Sequence, residues 1–317
     1  MTLLPSDSVL AAAARISGLV RRTRIVRSAG LSRLAGTDVR LKLENEQTTG
    51  SFKVRGAMNV LASMDSDVRR RGVVASSAGN HGLGVAYASK HFGAQATVFI
   101  PSTAPRIKRD GIIALGATVD DTQPDYDAAM DAAKARATAV GARYINPCLG
   151  DDLLAGQGTV ALEILAECPG MQTLVVSVGG GGLLGGCASL IRAHAPSVRI
   201  AGAQSENTAA MARSLAAGHV VEIDSLPTLA DGLAGQIDDE ALSIGRDGLD
   251  QIVTVTEADL GAAILWLLDE HGMRVEGAGA AGVAAILSGK LRVAGETVVV
   301  VSGGNIDAER IAALRNA

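Results

Sequence analysis

The stretch Gln47-Thr48-Thr49-Gly50-Ser51-Phe52-Lys53-Val54-Arg55-Gly56-Ala57-Met58-Asn59 sets one lysine, Lys53, among small and apolar neighbours where helical spacing begins. Three further segments share a design of small, hydroxyl-bearing and glycine residues directly after an apolar run. They are Ser76-Ser77-Ala78-Gly79-Asn80-His81-Gly82, then Ser177-Val178-Gly179-Gly180-Gly181-Gly182-Leu183, then Ser302-Gly303-Gly304-Asn305.

Around these segments, short β-branched runs alternate with longer alanine-rich stretches of helical period. Strands are expected at Val39–Leu43, Val73–Ser76, 96–100, 117–120, 173–178, 199–204, 253–255 and 297–302. Helices are expected over 52–64, with Ser51 as N-cap, and over 82–92, 107–115, Tyr126–Val140, 159–167, 183–194, Glu257–His271 and 278–288. This alternation predicts an α/β fold with mostly parallel sheets covered by helices on both faces. The segment 141–152, with Pro147 and Gly150, reads as a crossing between domains. Residues 1–64 and 149–317 are expected to form a large cofactor-binding domain, and 65–148 a small mobile one.

A chain of 317 residues, 48% of them hydrophobic, buries a large core. With three Phe, three Tyr and one Trp, that core is aliphatic. A net charge of −4 and few stacking side chains exclude a nucleic-acid surface. Residues 173–191 carry no charge, but their glycines and the short β-branched run argue against a membrane span. The basic residues Arg21, Arg22 and Arg24 follow the first apolar stretch, the reverse of a secretory leader. Cys148, Cys168 and Cys187 match no zinc spacing and suit a reducing, cytoplasmic setting. No metal site is expected.

An amine attacks an aldehyde only after shedding its proton, and a lysine at the positive end of a helix, among apolar neighbours, is placed for that role. A strand, four glycines and a helix let backbone N–H groups converge on an anion such as phosphate. The turn 76–82 suits a carboxylate, and Ser302 at a strand end suits a ring nitrogen. Together these point to Schiff-base chemistry on a phosphorylated aldehyde. A rival exists: Gly180, Gly182 and Gly185 satisfy a dinucleotide fingerprint. Its acidic partner would be Glu206, just past the next strand, and Lys53 would then have no role.

In these four segments, and in Leu41-Lys42-Leu43-Glu44-Asn45 and Ala155-Gly156-Gln157-Gly158-Thr159, the chain resembles the fold-type II pyridoxal-phosphate enzymes. Within them it is similar to the serine/threonine dehydratase and serine racemase group, over roughly residues 15–306. The resemblance implies a two-domain, tryptophan synthase β-like architecture and pyridoxal 5′-phosphate as cofactor. It makes Lys53 the Schiff-base lysine and catalytic residue, and places Phe52, Asn80, Gly179, Gly180, Gly181, Gly182, Leu183, Glu276 and Ser302 around the cofactor. Asn80 would pair with the phenolic oxygen and Ser302 with the pyridine nitrogen. Ser77, Ala78, Gly79, Asn80 and His81 would hold the substrate carboxylate.

The departures from the group shape the expected function. Racemases carry a second serine where Ala78 stands, and the metal-binding members carry carboxylates where Gln204 and Ala210 stand. The implied activity is therefore an ammonia-lyase that converts a β-hydroxy amino acid, threonine or serine by default, into a 2-oxo acid. The enzyme would be a homodimer or higher homo-oligomer. A racemase, a β-replacement synthase, a nicotinamide oxidoreductase and a non-catalytic binding module remain the alternatives.

Overall fold

The computed structural model describes residues 3–104, 106–224 and 226–316. Among the described residues, ten strands form two sheets. They are β1 (Ile25–Arg27), β2 (Val39–Leu43), β3 (Val73–Ser76), β4 (Ala96–Pro101), β5 (Thr118–Gln123), β6 (Arg143–Tyr144), β7 (Thr173–Ser177), β8 (Arg199–Ser205), β9 (Gln251–Val255) and β10 (Thr297–Val301). The six-stranded sheet runs β1-β2-β10-β7-β8-β9, and the four-stranded sheet runs β5-β4-β3-β6. Among the described residues, β1 pairs antiparallel with β2, and the other strand-to-strand pairings within the two sheets are parallel.

Strict alternation explains why the central strands read as continuous apolar runs. In β7 and β10, Leu174, Val176, Val298 and Val300 enter one core, whereas Val175, Val299 and Val301 enter the other. Helices Asp151–Glu167, Gly182–His194 and Asp239–Gly248 cover the first face; Glu257–His271 and Gly277–Leu287 cover the second. On the smaller sheet, Val73, Ala75, Val98 and Ile100 pack against helices Lys53–Ser63 and Asn80–Phe92. Its other face, with Val74 and Phe99, is closed by Ala129, Ala133 and Ala137, four apart along Tyr126–Val140. The uncharged stretch 173–191 is divided between β7, a turn and a helix. Among the described residues no helix is long and apolar enough to cross a membrane.

Several expectations shift. The helix after Pro147 starts at Asp151 rather than 159, because Gly156 and Gly158 are packing glycines and not breakers. A Cβ on Gly156 would lie 2.6 Å from the Arg55 carbonyl oxygen, and one on Gly158 would lie 2.6 Å from that of Gly186. Ser51 is not the N-cap of the lysine helix. That helix begins at Lys53 with Phe52 as cap and no side-chain capping bond. Ser51 instead pairs with Gly303 in an antiparallel bridge, and its buried Oγ has no partner.

Beneath the lysine helix lies a buried ion network. Arg55 is fully buried and donates from Nε and Nη2 to both Glu44 oxygens at 2.8 Å, and from Nη1 to Glu163 at 2.8 Å. Lys42 Nζ, also buried, binds Glu163 and the Thr23 carbonyl. Burial pushes the Glu44 carboxyl up, but the Arg55 guanidinium outweighs this and holds it below the usual carboxylate range. Two cations and two anions balance, so removing one member strands its partner. Arg55→Met should cost about 3–5 kcal/mol of stability in urea denaturation, several times the effect of a typical surface substitution.

Candidate active site

A cavity of about 1080 Å³ lies between the two sheets and is lined by Phe52, Lys53, Ser77, Ala78, Gly79, Asn80, His81, 179–182, Leu183, Glu276 and Ser302. All the residues assigned to cofactor or substrate by the resemblance to pyridoxal-phosphate enzymes therefore reach one space. Backbone pairing brings the first and last segments together: Phe52 N donates to the Ser302 carbonyl at 3.1 Å, and Gly304 N to that of Gly50 at 2.9 Å. Lys53 is thereby placed beside Ser302. Its Nζ donates to the Pro147 carbonyl at 2.7 Å and stands 5.3 Å from the Phe52 ring centre.

Two helix starts face this space. Gly181, at φ +88°, caps the helix Gly182–His194, whose first N–H groups have no intrahelical acceptor. Side chains are excluded from the turn. A Cβ on Gly179 would lie 2.9 Å from Leu233 Cα, one on Gly180 would lie 2.6 Å from Cys148 Sγ, and one on Gly182 would lie 2.9 Å from the Cys148 carbonyl oxygen. The second start is Asn80–Phe92, preceded by Ser77, whose Oγ accepts from Gly79 N at 3.1 Å.

Asn80 Nδ2 donates to Glu276 Oε1 at 2.5 Å. Burial pushes Glu276 up to about 7, and the charge of Asp231 adds to the effect. His81 is buried, and its Nε2 donates to the Ile145 carbonyl at 3.0 Å. Burial, and then the Lys53 charge, drive it down to about 3, so the ring is neutral. Its contribution to an anion at this helix start is the backbone N–H, not the imidazole. Ser302 is buried, and its Oγ makes one long bond, 3.4 Å, to the Ala278 carbonyl.

Sequence reasoning assigned no role to Asn305, Cys148, Lys108 or Asp231, which also line the cavity. Asn305 belongs to the Ser302-Gly303-Gly304-Asn305 motif, so a local signal exists. The others meet the site only through tertiary contacts. Lys108 Nζ reaches Asp231 at 2.6 Å, from helix Arg106–Ala114 to the turn Asp231–Leu233. Glu206, needed by the dinucleotide reading, is not among the residues lining the cavity. Gln204 Oε1 accepts from Ala212 N at 3.1 Å, and the described residues contain no cluster of metal-ligating side chains.

The residues fit pyridoxal phosphate. A side-chain-free turn at a helix start suits the phosphate, the Lys53 amine suits the aldehyde, and the under-bonded Ser302 hydroxyl suits the ring nitrogen. An amine and an anion cradle in one cleft between parallel sheets define a cofactor-dependent α/β enzyme. The profile of the family described as pyridoxal-phosphate dependent enzymes matches residues 16–304, and the chain belongs to that family. It is 40% identical to an L-threonine ammonia-lyase of Thermotoga maritima, over 98% of this chain and 77% of that protein. The structure is similar to that of maize serine racemase, with TM-score 0.94, 32% identity and coverage of 99% and 97% of the two chains. It is also similar to the processed form of threonine deaminase isoform 2 from Solanum lycopersicum, with TM-score 0.90, 28% identity and coverage of 99% and 90%.

Glu276 gives a signed prediction. Its folded value of about 7 exceeds the ordinary 4.5, so the folded chain retains a proton that the unfolded chain releases. Its stabilising contribution is present below pH 4.5 and is lost as pH rises to about 7. Glu276→Gln removes this loss. Urea midpoints of the cofactor-free protein at about pH 5 and about pH 8 should therefore differ less in the variant than in the wild type.

Proposed function

We propose that this chain is a deaminating lyase acting on a β-hydroxy amino acid, with threonine or serine the default substrate. The observation that carries the reading is the placement of the Lys53 amine in one cavity with the 179–182 turn. The similarity to proteins named threonine ammonia-lyase supports the choice of reaction. Water lost across Cα and Cβ is returned when the C–N bond is hydrolysed, so one substrate yields one 2-oxo acid and one ammonium.

Bound here, pyridoxal phosphate supplies an aldehyde for amines and a ring that takes up the electron pair left by the Cα proton. Lys53 Nζ is the base that removes that proton. The helix start at Gly182 holds the phosphate, and the start at Asn80 holds the substrate carboxylate. Ser302 offers the ring nitrogen a neutral hydroxyl, and Asn80 offers an amide N–H to the phenolic oxygen. Ala78 has no group that moves a proton, which favours elimination over racemisation.

Residues 65–148 act in this reading as a mobile unit that closes on the substrate and excludes water. The Lys108–Asp231 pair spans the cavity from that unit and is partly exposed. Such a pair is worth under about 1 kcal/mol, weak enough to open on each turnover. The enzyme works as a homo-oligomer, for which a dimer is the commonest symmetry, and in the cytoplasm.

Wild-type protein supplied with threonine or serine should release ammonium and 2-oxo acid, with little D-enantiomer; D-enantiomer as the main product would favour the racemase. Lys53→Ala should lower turnover by about 100- to 10,000-fold. A Lys53→Ala protein that binds cofactor and keeps wild-type turnover would overturn the assignment. Lys108→Ala should raise KM more than it lowers kcat, and increase proteolytic nicking within 65–148 when substrate is present.

A further inference from the structure

Three side chains beside the cavity form a hydrogen-bond chain whose direction is set from one end. The Thr49 carbonyl can only accept. Asn305 Nδ2 donates to it at 2.9 Å, and to Asn80 Oδ1 at 2.6 Å. Asn80 Nδ2 then donates to Glu276 Oε1 at 2.5 Å. The two ends of an amide are alike in shape, so only their partners fix which is which. A reversed Asn305 would set its oxygen against two acceptors. Asn80 is therefore gripped at its oxygen by Asn305 and at its nitrogen by the Glu276 carboxyl group. Gly50, at φ +76°, gives Asn305 its seat, since a Cβ there would lie 3.0 Å from Asn305 Nδ2.

We propose that Asn305 is a positioning residue that fixes which end of the Asn80 amide is presented to the cofactor. It transmits the fixed polarity of the Thr49 carbonyl across the cavity, from the loops of the six-stranded sheet to the helix start on the smaller one. Asn80 Nδ2 carries two hydrogens. Glu276 takes one and leaves the other for an acceptor in the cavity, which in the function proposed above, on which this inference rests, is the phenolic oxygen. Glu276 lies in the field of Asp231, which favours its protonated form, and of Lys108 and Lys53, which oppose it. A reversed Asn80 would turn its oxygen toward that carboxyl, which would then need its proton.

The test compares Asn305→Asp with Asn305→Ala. Cofactor-free protein is titrated with pyridoxal 5′-phosphate, and the absorbance of the bound cofactor is followed. Aspartate keeps the size of asparagine but only accepts, so it opposes the Thr49 carbonyl and drives Asn80 to reverse. N305D should bind about tenfold to hundredfold more weakly than N305A, although alanine is the larger change of shape. The gap should narrow in an Asn80→Ala background. N305D binding as tightly as N305A, or an equal gap with and without Asn80, overturns the proposal. If N305D alone does not fold, a folded N305D/N80A supports the proposal and an unfolded one overturns it. Every readout is cofactor binding, so a wild type that releases no ammonia counts against the proposed activity alone.

Discussion

Two loops about 250 positions apart in sequence are fastened by backbone pairing at 50–52 and 302–304. Gly304 N to the Gly50 carbonyl, the Ser51–Gly303 bridge and Phe52 N to the Ser302 carbonyl together form a short antiparallel splice between the end of β10 and the start of the lysine helix. Main-chain contacts of this kind leave little freedom in the direction of that helix, so the Lys53 amine and the Ser302 hydroxyl enter the cavity together. The splice explains why Ser51 loses its capping role: the bonds made by Gly50 and Phe52 on either side hold it opposite Gly303. It also explains Gly50, whose positive φ lets the chain turn against Asn305.

The charges under this splice and the polar groups above it serve different ends. Arg55, Glu44 and Lys42 are sealed from water, Glu163 is partly exposed, and the four charges offset one another. They anchor the helix base to β2 and to the helix Asp151–Glu167. Above, Asn80, Glu276 and Asn305 form a neutral or singly charged row at the cavity wall, where one proton more or less alters the electrostatics of the whole space. A base plate of paired charges and a cavity wall whose Glu276 is pushed up to about 7 are compatible because the lysine helix separates them.

Much of this was legible in the sequence, for physical reasons. β7 and β10 are buried on both faces, so their apolar runs are unbroken. The lysine, the 179–182 turn and the 76–82 turn are local motifs whose chemistry lies in neighbouring residues. What escaped depends on distant contacts. β6 has two residues and exists because β3 offers it an edge. The first turns of Asp151–Glu167 hide behind Gly156 and Gly158, whose helical role is apparent only once the Arg55 and Gly186 backbones pass close by. His81 sits in the right motif, yet its ring belongs to Ile145. Lys108 and Asp231 are 123 positions apart, and nothing local to either marks the pairing.

The order of strands along the chain has a consequence for biosynthesis. β3 to β6 are contiguous, so the smaller sheet can assemble as soon as residue 144 has been translated. The six-stranded sheet cannot, because β10, its last strand in sequence, lies in the middle, between β2 and β7. Until that strand is inserted, the edges of β2 and β7 stay open, and Ser302 and Asn305 are missing from the cavity. A nascent chain therefore completes this cavity only after β10 and the 302–305 turn have been made, and slow, non-local closure of the central strand is the step at which unpaired edges are exposed to aggregation.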